Sequence, residues 1–156
     1  MGNRFRDLQP SDIARLPQKL LADILVFDYW IQNQDRIMGI TGGNPNALVS
    51  SDVTEIIAID HDSGFDSTFS KETFDELHLG RTSIDYWRKS SHKKQWLARA
   101  TTALSELEKI WDELPEEWVY SELDNDTSPS YTVEDYRAIL KKPFDDPEAF
   151  WEGLFI

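Results

Sequence analysis

Apolar residues recur at the spacing of an α-helix along most of the chain. One region, which contains two short β-type runs, departs from this pattern. After Pro17, apolar side chains and Asp28 follow the helical period to about Asn33. A longer apolar stripe extends from about His92 to Leu114 and predicts one long helix. The sequence therefore predicts an α+β fold that is mostly α, with one small β-hairpin.

The two β-type runs lie close together and are separated by turn residues. Ala47-Leu48-Val49 is followed by a polar turn at 50–52 and then by Glu55-Ile56-Ile57-Ala58-Ile59. Short apolar runs on either side of a turn predict a pair of hairpin strands. The glycine-rich stretch at 40–45, just before the first run, predicts a loop.

Helix start and stop signals organise the rest of the chain. Ser70 predicts an N-cap, with Phe69 and Phe74 as a hydrophobic staple, and Gly80 predicts the end of that helix.

Thr132 predicts the cap of a helix at 133–141 that Pro143 ends, and the sequence at 146–148 predicts the start of a last helix. The acidic stretch at 122–130 predicts a solvated loop. Since no signal separates two units, we expect a single domain over residues 1–156.

The composition limits the classes of partner. The formal net charge is −13, so phosphate groups would be repelled, and we expect no direct binding to nucleic acid or to an anionic membrane surface. The sequence has no cysteine, which excludes disulfides and thiolate metal sites and favours a cytoplasmic location. No apolar run approaches the length of about 18 residues that a membrane span needs.

Three oxygen-bearing side chains fall at the ends of predicted elements. Asp35 comes just after the first long helix, Asn46 immediately precedes the first strand, and Asp60 immediately follows the second. A hairpin brings its two outer ends together, so Asn46 and Asp60 are predicted to be neighbours. The connection from helix to loop allows Asp35 to lie beside them.

These residue types suit phosphoryl transfer with a magnesium ion. Mg²⁺ prefers hard oxygen ligands, and an amide oxygen and a carboxylate can hold it while phosphate oxygens and water complete its coordination. A separate carboxylate can accept the proton of an attacking hydroxyl. The segment Asp60-His61-Asp62 alternatively suggests a transition-metal site. The three histidines, at 61, 78 and 92, however, show no helical ligand spacing.

The same segments resemble a known family. Residues 27–36 (FDYWIQNQDR), 43–49 (GNPNALV) and 57–61 (IAIDH) look like the catalytic core of HipA-like kinases and, more remotely, of phosphatidylinositol kinases. The likeness that these motifs carry covers roughly residues 20–66. It implies a helical, kinase-like C-lobe whose small hairpin carries the metal-ligand positions.

The resemblance also implies roles for individual residues. Asp35 resembles the catalytic base and Arg36 the arginine beside it, while Asn46 and Asp60 resemble the metal ligands. His61 belongs to the same Ile-Asp-His segment and is a further cofactor-binding candidate. Mg²⁺ and ATP are the implied cofactors, a protein Ser or Thr hydroxyl is the implied acceptor, and a toxin–antitoxin setting is implied as well.

The sequence departs from the family pattern in three places. Many relatives have the asparagine five residues after the aspartate, whereas Asn46 follows Asp35 by eleven, which makes Asn44 a rival metal ligand. Asp62 occupies a position that is often glycine.

Only 34 residues precede Asp35, too few for an N-lobe, and no glycine-rich phosphate loop or lysine-bearing strand is evident. Three explanations stay open: the sequence is a fragment of a longer kinase, a partner such as an operon partner supplies the N-lobe, or the N-lobe has been lost. The alternative is a noncatalytic, acidic module on a degenerate kinase scaffold that recognises a basic protein.

Overall fold

The computed structural model describes residues 4–39, 42–115 and 132–155. These residues form a mostly helical α+β structure, which confirms the predicted fold class. The strands are β1 (Phe5–Asp7), β2 (Ala47–Ser50) and β3 (Ile56–Ala58). The helices are α1 (Pro10–Ile13), α2 (Gln18–Trp30), α3 (Lys71–Leu77), a 3-10 helix (Arg81–Arg88), α4 (Ser90–Ser105), α5 (Leu107–Asp112), α6 (Val133–Asp145) and α7 (Pro147–Phe155).

The three strands form an antiparallel sheet in the order β1-β2-β3. The predicted hairpin is therefore confirmed, and Leu48 lies opposite Ile57 in it. Strand β1 was not predicted, because three residues are too few to show an alternating pattern. It pairs with β2 on the side away from β3, with Asp7 opposite Leu48.

Helix α2 lies between two groups of buried side chains. Leu25, Val26 and Trp30 belong to an aromatic-rich core with side chains of α3, the 3-10 helix, α4, α6 and α7. Leu21 and Ile24 belong to a second core that includes side chains of β2. Because apolar residues face both groups, most of α2 is at least partly buried, and its exposed residues lie in the first turn.

The start of α3 is confirmed, but its end is not. The Ser70 side chain accepts a hydrogen bond from the Thr73 amide, and the rings of Phe69 and Phe74 are 5.3 Å apart. The helix ends at Leu77 and not at Gly80, because His78 already has an extended backbone.

The single helix predicted from His92 to Leu114 is wrong. Helix α4 ends at Ser105, and α5 follows after Glu106. The hydroxyls of Thr101, Thr102 and Ser105 donate to main-chain oxygens three or four residues earlier. Such bonds compete with the helical ladder and weaken it near the break.

The prediction that Pro143 ends its helix is also wrong. Thr132 caps α6 as predicted and forms a capping box with Asp135, but α6 continues through Pro143 to Asp145. Proline removes one helical hydrogen bond. The Asp146 amide still donates to the Lys142 oxygen, at 3.1 Å, and Pro143 is buried. Packing therefore favours one more turn of helix. The last helix begins at Pro147 as predicted, and the stretch 122–130 lies outside the described residues.

Candidate functional site

The loop after α2 presents Asp35. Ile31 and Gln32 end the helix, and Gln32 has a left-handed backbone with φ of 55°. The Asn33 side-chain oxygen then accepts a hydrogen bond from the Asp35 amide at 3.1 Å. These turns bring the chain out of the core and leave the Asp35 carboxylate half-buried at the surface.

Asn46 contacts Asp35 directly. Its Nδ2 donates to Asp35 Oδ2 at 3.0 Å, and Nδ2 of Asn44 reaches the same oxygen at 3.5 Å. Asn46 is the closer of the two rivals. No hydrogen bond from the described part of the chain reaches the other carboxylate oxygen, Oδ1 of Asp35.

The eleven-residue spacing is taken up by a chain reversal. The Ile37 amide donates to the Asn44 oxygen at 2.9 Å, and the Gly39 amide donates to the Gly42 oxygen at 2.9 Å. The two ends of the glycine-rich stretch therefore lie side by side, which returns the chain to Asp35.

The pairing of β2 with β3 fixes the place of Asp60. Ala47 lies opposite Ala58, and the Ile59 amide donates to the Asn46 oxygen at 2.8 Å. Asp60 follows directly and is exposed. The backbones of Asn46 and Ile59 thus meet at the open end of the hairpin, where Asp60 follows, and the Asn46 side chain contacts Asp35.

Arg36 points into the protein, away from the surface that Asp35 faces. It is fully buried, and its Nε donates to Asp28 Oδ2 at 2.7 Å. Its Nη1 donates to the main-chain oxygens of Asn46 and Ile59, at 2.9 Å for Ile59. Arg36 therefore holds the backbone beneath the site, and its side chain does not line the surface.

Sequence reasoning missed Asp28, the buried partner of Arg36, and His78, which bonds to Asp28. Asp28 also accepts hydrogen bonds from Asn33 Nδ2 at 3.2 Å and from His78 Nε2 at 2.9 Å. The position of Asp28 on the apolar face of α2 was the available signal, because a buried carboxylate needs a partner. His78 gave no signal, since its contact with Asp28 joins residues 50 apart.

His61 and Asp62 make local contacts. His61 is exposed and packs edge-on against Phe27, with ring centroids 5.8 Å apart. Asp62 is also exposed and accepts a hydrogen bond from the Ser63 hydroxyl at 3.3 Å. Within residues 4–39, 42–115 and 132–155, His, Asp and Glu side chains nowhere form a group of three that could hold a metal ion.

The donor set of Asn46 and Asp60 still fits magnesium. Mg²⁺ in phosphoryl-transfer sites commonly takes only one or two protein oxygens and completes its coordination with phosphate and water. Asn46 uses its Nδ2 toward Asp35, so its Oδ1 remains for a cation.

A cleft of about 380 Å³ opens beside the site. Its lining includes Leu8, Gln9, Asn44, Asn46 and Ile59. A larger cavity of about 450 Å³ lies between α2 and the C-terminal helices, but it contains none of the candidate residues. Of the candidate residues, Asn44 and Asn46 line the smaller cleft, and none lines the larger cavity.

The fold and the site define a helical lobe whose hairpin presents amide and carboxylate oxygens next to a half-buried aspartate. A family model described as HipA-like kinase matches residues 2–154 of the chain. The chain belongs to the HipA-like kinase family. No curated protein and no solved structure matches it significantly.

Membership in a kinase family implies a kinase-type phosphotransferase and, in general, the use of ATP with a divalent metal ion. None of the helices in the described part of the chain combines the length and hydropathy that a membrane crossing requires.

Proposed function

We propose that this chain is the catalytic lobe of a kinase that transfers the terminal phosphoryl group of Mg²⁺-ATP to a Ser or Thr hydroxyl of a protein in the cytoplasm. The observation that carries the proposal is the contact between Asp35 and Asn46 at the open end of the hairpin, where Asp60 follows. Membership in the HipA-like kinase family supports the proposal at the level of a kinase-type phosphotransferase.

Each residue has a distinct role in this proposal. Asp35 Oδ1 accepts the proton of the attacking hydroxyl, because Oδ2 is already occupied by Asn46. Asn46 Oδ1 and the Asp60 carboxylate hold the metal ion. Bound magnesium neutralises charge that develops on the transferred phosphoryl group. Arg36 maintains the backbone on which these groups are mounted.

We further propose that a second lobe, from an operon partner or another polypeptide segment, covers the nucleotide. The outer face of the sheet supports this idea. Ile57 and Ile59, next to the site, are 41% and 39% exposed. Apolar side chains exposed together beside a cleft are typical of surfaces that another surface covers.

The decisive test is the Asp35→Asn variant in a phosphoryl-transfer assay with Mg²⁺-ATP, using the complex with the adjacent-gene product if the chain alone is inactive. Loss of a general base lowers such rates by about 100-fold or more. We expect that loss with an unchanged melting temperature. Asp85→Asn, at an exposed aspartate of the 3-10 helix, is the matched control and should retain full activity. Equal activity of both variants would refute the role of Asp35.

The alternative function is a noncatalytic module that recognises a basic protein, and the net charge of −13 favours it. A thermal shift measurement separates the two. A rise in melting temperature that requires Mg²⁺ and ATP together supports nucleotide binding. No rise at millimolar ligand, with and without the adjacent-gene product, favours the module.

A further inference from the structure

A buried polar network lies behind the candidate site. Its members are Asp28, Asn33, Arg36 and His78, and each is at most 1% exposed. A charge in such a place is costly unless it is fully paired. Within the described part of the chain, every buried side-chain nitrogen and oxygen has a hydrogen-bond partner. The network is therefore complete, and its geometry is narrowly defined.

The hydrogen bonds of His78 assign its tautomer. The Gly80 amide donates to Nδ1 at 3.1 Å, so Nδ1 is an acceptor and the proton sits on Nε2. Nε2 then donates to Asp28 Oδ2 at 2.9 Å. The Phe74 ring stacks on the imidazole at 4.5 Å and fixes its plane. Burial lowers the pKa of His78, which agrees with a neutral ring.

Asp28 in turn orients Arg36. The carboxylate accepts from Nε at 2.7 Å and from Nη2 at 3.4 Å, which leaves Nη1 directed at the hairpin. There Nη1 donates to the carbonyl oxygens of Asn46 and Ile59. These carbonyls belong to one candidate metal ligand and to the residue just before the other.

The hairpin end needs such support. Asn46 and Asp60 have φ values of 42° and 54°, in the left-handed region, which is uncommon for residues other than glycine even though asparagine and aspartate tolerate it better than most. A backbone of this kind persists only where its surroundings hold it. Arg36 holds both strands at this end.

We propose that His78 and Asp28 are positioning residues of the phosphotransfer site, which act through Arg36 on the carbonyl groups of Asn46 and Ile59 and so set the placement of the two metal-binding side chains. The effect of the network on metal binding rests on the function proposed above. Its effect on the backbone conformation of the hairpin end does not.

The first measurement is Mn²⁺ binding in the presence of ATP. The electron paramagnetic resonance signal of free Mn²⁺ monitors this binding. The test variant His78→Phe keeps a ring against Phe74 but removes both hydrogen bonds. We expect it to weaken Mn²⁺ binding by about 10- to 100-fold, the usual effect of removing a group that orients metal ligands. His78→Gln retains a donor near Nε2 and should restore most of the affinity.

Loss of stability alone has to be separated from loss of positioning. Leu154→Ala truncates a fully buried side chain in α7, outside the network, and serves as the destabilised control. Binding is compared at temperatures equally far below the melting temperature of each variant. If His78→Phe binds Mn²⁺ no more weakly than Leu154→Ala, the metal-positioning role is refuted.

The second measurement, amide hydrogen exchange in the metal-free protein, does not depend on the proposed function. The Ile59 amide bonds to Asn46 at the site end of the hairpin, and the Ser50 amide bonds to Glu55 at the turn end. In His78→Phe we expect Ile59 to exchange about tenfold faster relative to Ser50, the factor for one lost hydrogen bond of ordinary net strength.

An unchanged ratio of these two rates would overturn the proposal. If neither the wild-type protein nor its complex with the adjacent-gene product binds Mn²⁺-ATP, the proposed function fails. The ratio of exchange rates alone then decides whether the network holds the hairpin end.

Discussion

Asn46 and Asp60 combine a left-handed backbone with a side chain that can bind a cation. Asparagine and aspartate tolerate this conformation better than most residues, because their short polar side chains can form local hydrogen bonds. The same short side chains keep the proposed metal-binding oxygens close to the backbone. At each of the two positions, the same side chain therefore suits both the turn geometry and the proposed chemistry.

Gly43 is essential to the chain reversal between Asp35 and Asn46. A Cβ atom at this position would lie 2.5 Å from the main-chain oxygen of Ile37, so the backbone would have to move. We expect Gly43→Ala to reduce stability by about 1–3 kcal/mol and to separate Asn46 from Asp35. Chemical denaturation and the assay for Mg²⁺-ATP binding would measure the two effects.

Gly39→Ala is the control for this prediction. Its Cβ would lie 3.1 Å from the Gly42 oxygen, a much smaller overlap. If both variants lose the same stability, the close approach at Gly43 is not the cause.

The ion pair between Arg6 and Asp12 gives stability a pH dependence. Two hydrogen bonds from Arg6, at 2.7 and 2.8 Å, lower the pKa of Asp12 from 3.8 to about 2. A lowered carboxyl pKa stabilises the fold above pH 4, and this contribution is lost as the pH falls toward 2. The Arg6 side chain is 42% exposed, which weakens the pair through solvent screening.

We therefore expect Asp12→Asn to cost about 1–2 kcal/mol near neutral pH. Urea unfolding of both proteins between pH 3 and 7 would show the difference shrinking as the pH falls below 4. A difference that stays constant over this range would contradict the assignment.

At the scale of elements, the capping box of α6 is a discrete stabilising feature. Thr132 Oγ1 accepts from the Asp135 amide at 3.3 Å, and Asp135 Oδ2 accepts from the Thr132 amide at 2.8 Å. Thr132→Ala removes the first bond, and we expect a loss of about 1 kcal/mol in unfolding free energy. Thr132→Ser keeps the hydroxyl and should remain near the wild-type value in urea denaturation.

Helices α4 and α5 show how hydroxyl side chains modify a helical pattern. The apolar stripe continues across Glu106, which is why the sequence suggests one helix. The hydrogen bonds that Thr101, Thr102 and Ser105 make to preceding carbonyls offer the backbone a competing arrangement. The spacing of apolar residues indicates which face of a helix is buried. It does not indicate where the helical hydrogen bonds are interrupted.

At the scale of the whole molecule, α2 connects the two cores. Trp30 Nε1 donates to the Leu140 oxygen at 2.9 Å, and Trp87 Nε1 donates to the Ala22 oxygen at 2.8 Å. Since neither core is complete without α2, we expect one cooperative unfolding transition, as the single-domain prediction requires. Tryptophan fluorescence and far-UV circular dichroism should give the same midpoint in urea. Two separate transitions would contradict a single domain.

The candidate site was accessible to sequence reasoning because its parts lie at the ends of elements. A helix period, a glycine-rich break and two apolar runs are local patterns, and they place Asp35, Asn46 and Asp60 in order along the chain. The contact between Asp35 and Asn46 agrees with that geometric expectation.

The sequence by itself determined the types of element and the residues available at the hairpin end, because side-chain periodicity and turn chemistry act over a few neighbouring residues. Only the tertiary structure decided that Arg36 faces inward, that His78 pairs with Asp28, and that α6 continues through Pro143. These outcomes depend on burial and on hydrogen bonds between distant residues. Such contacts form only once the chain has packed.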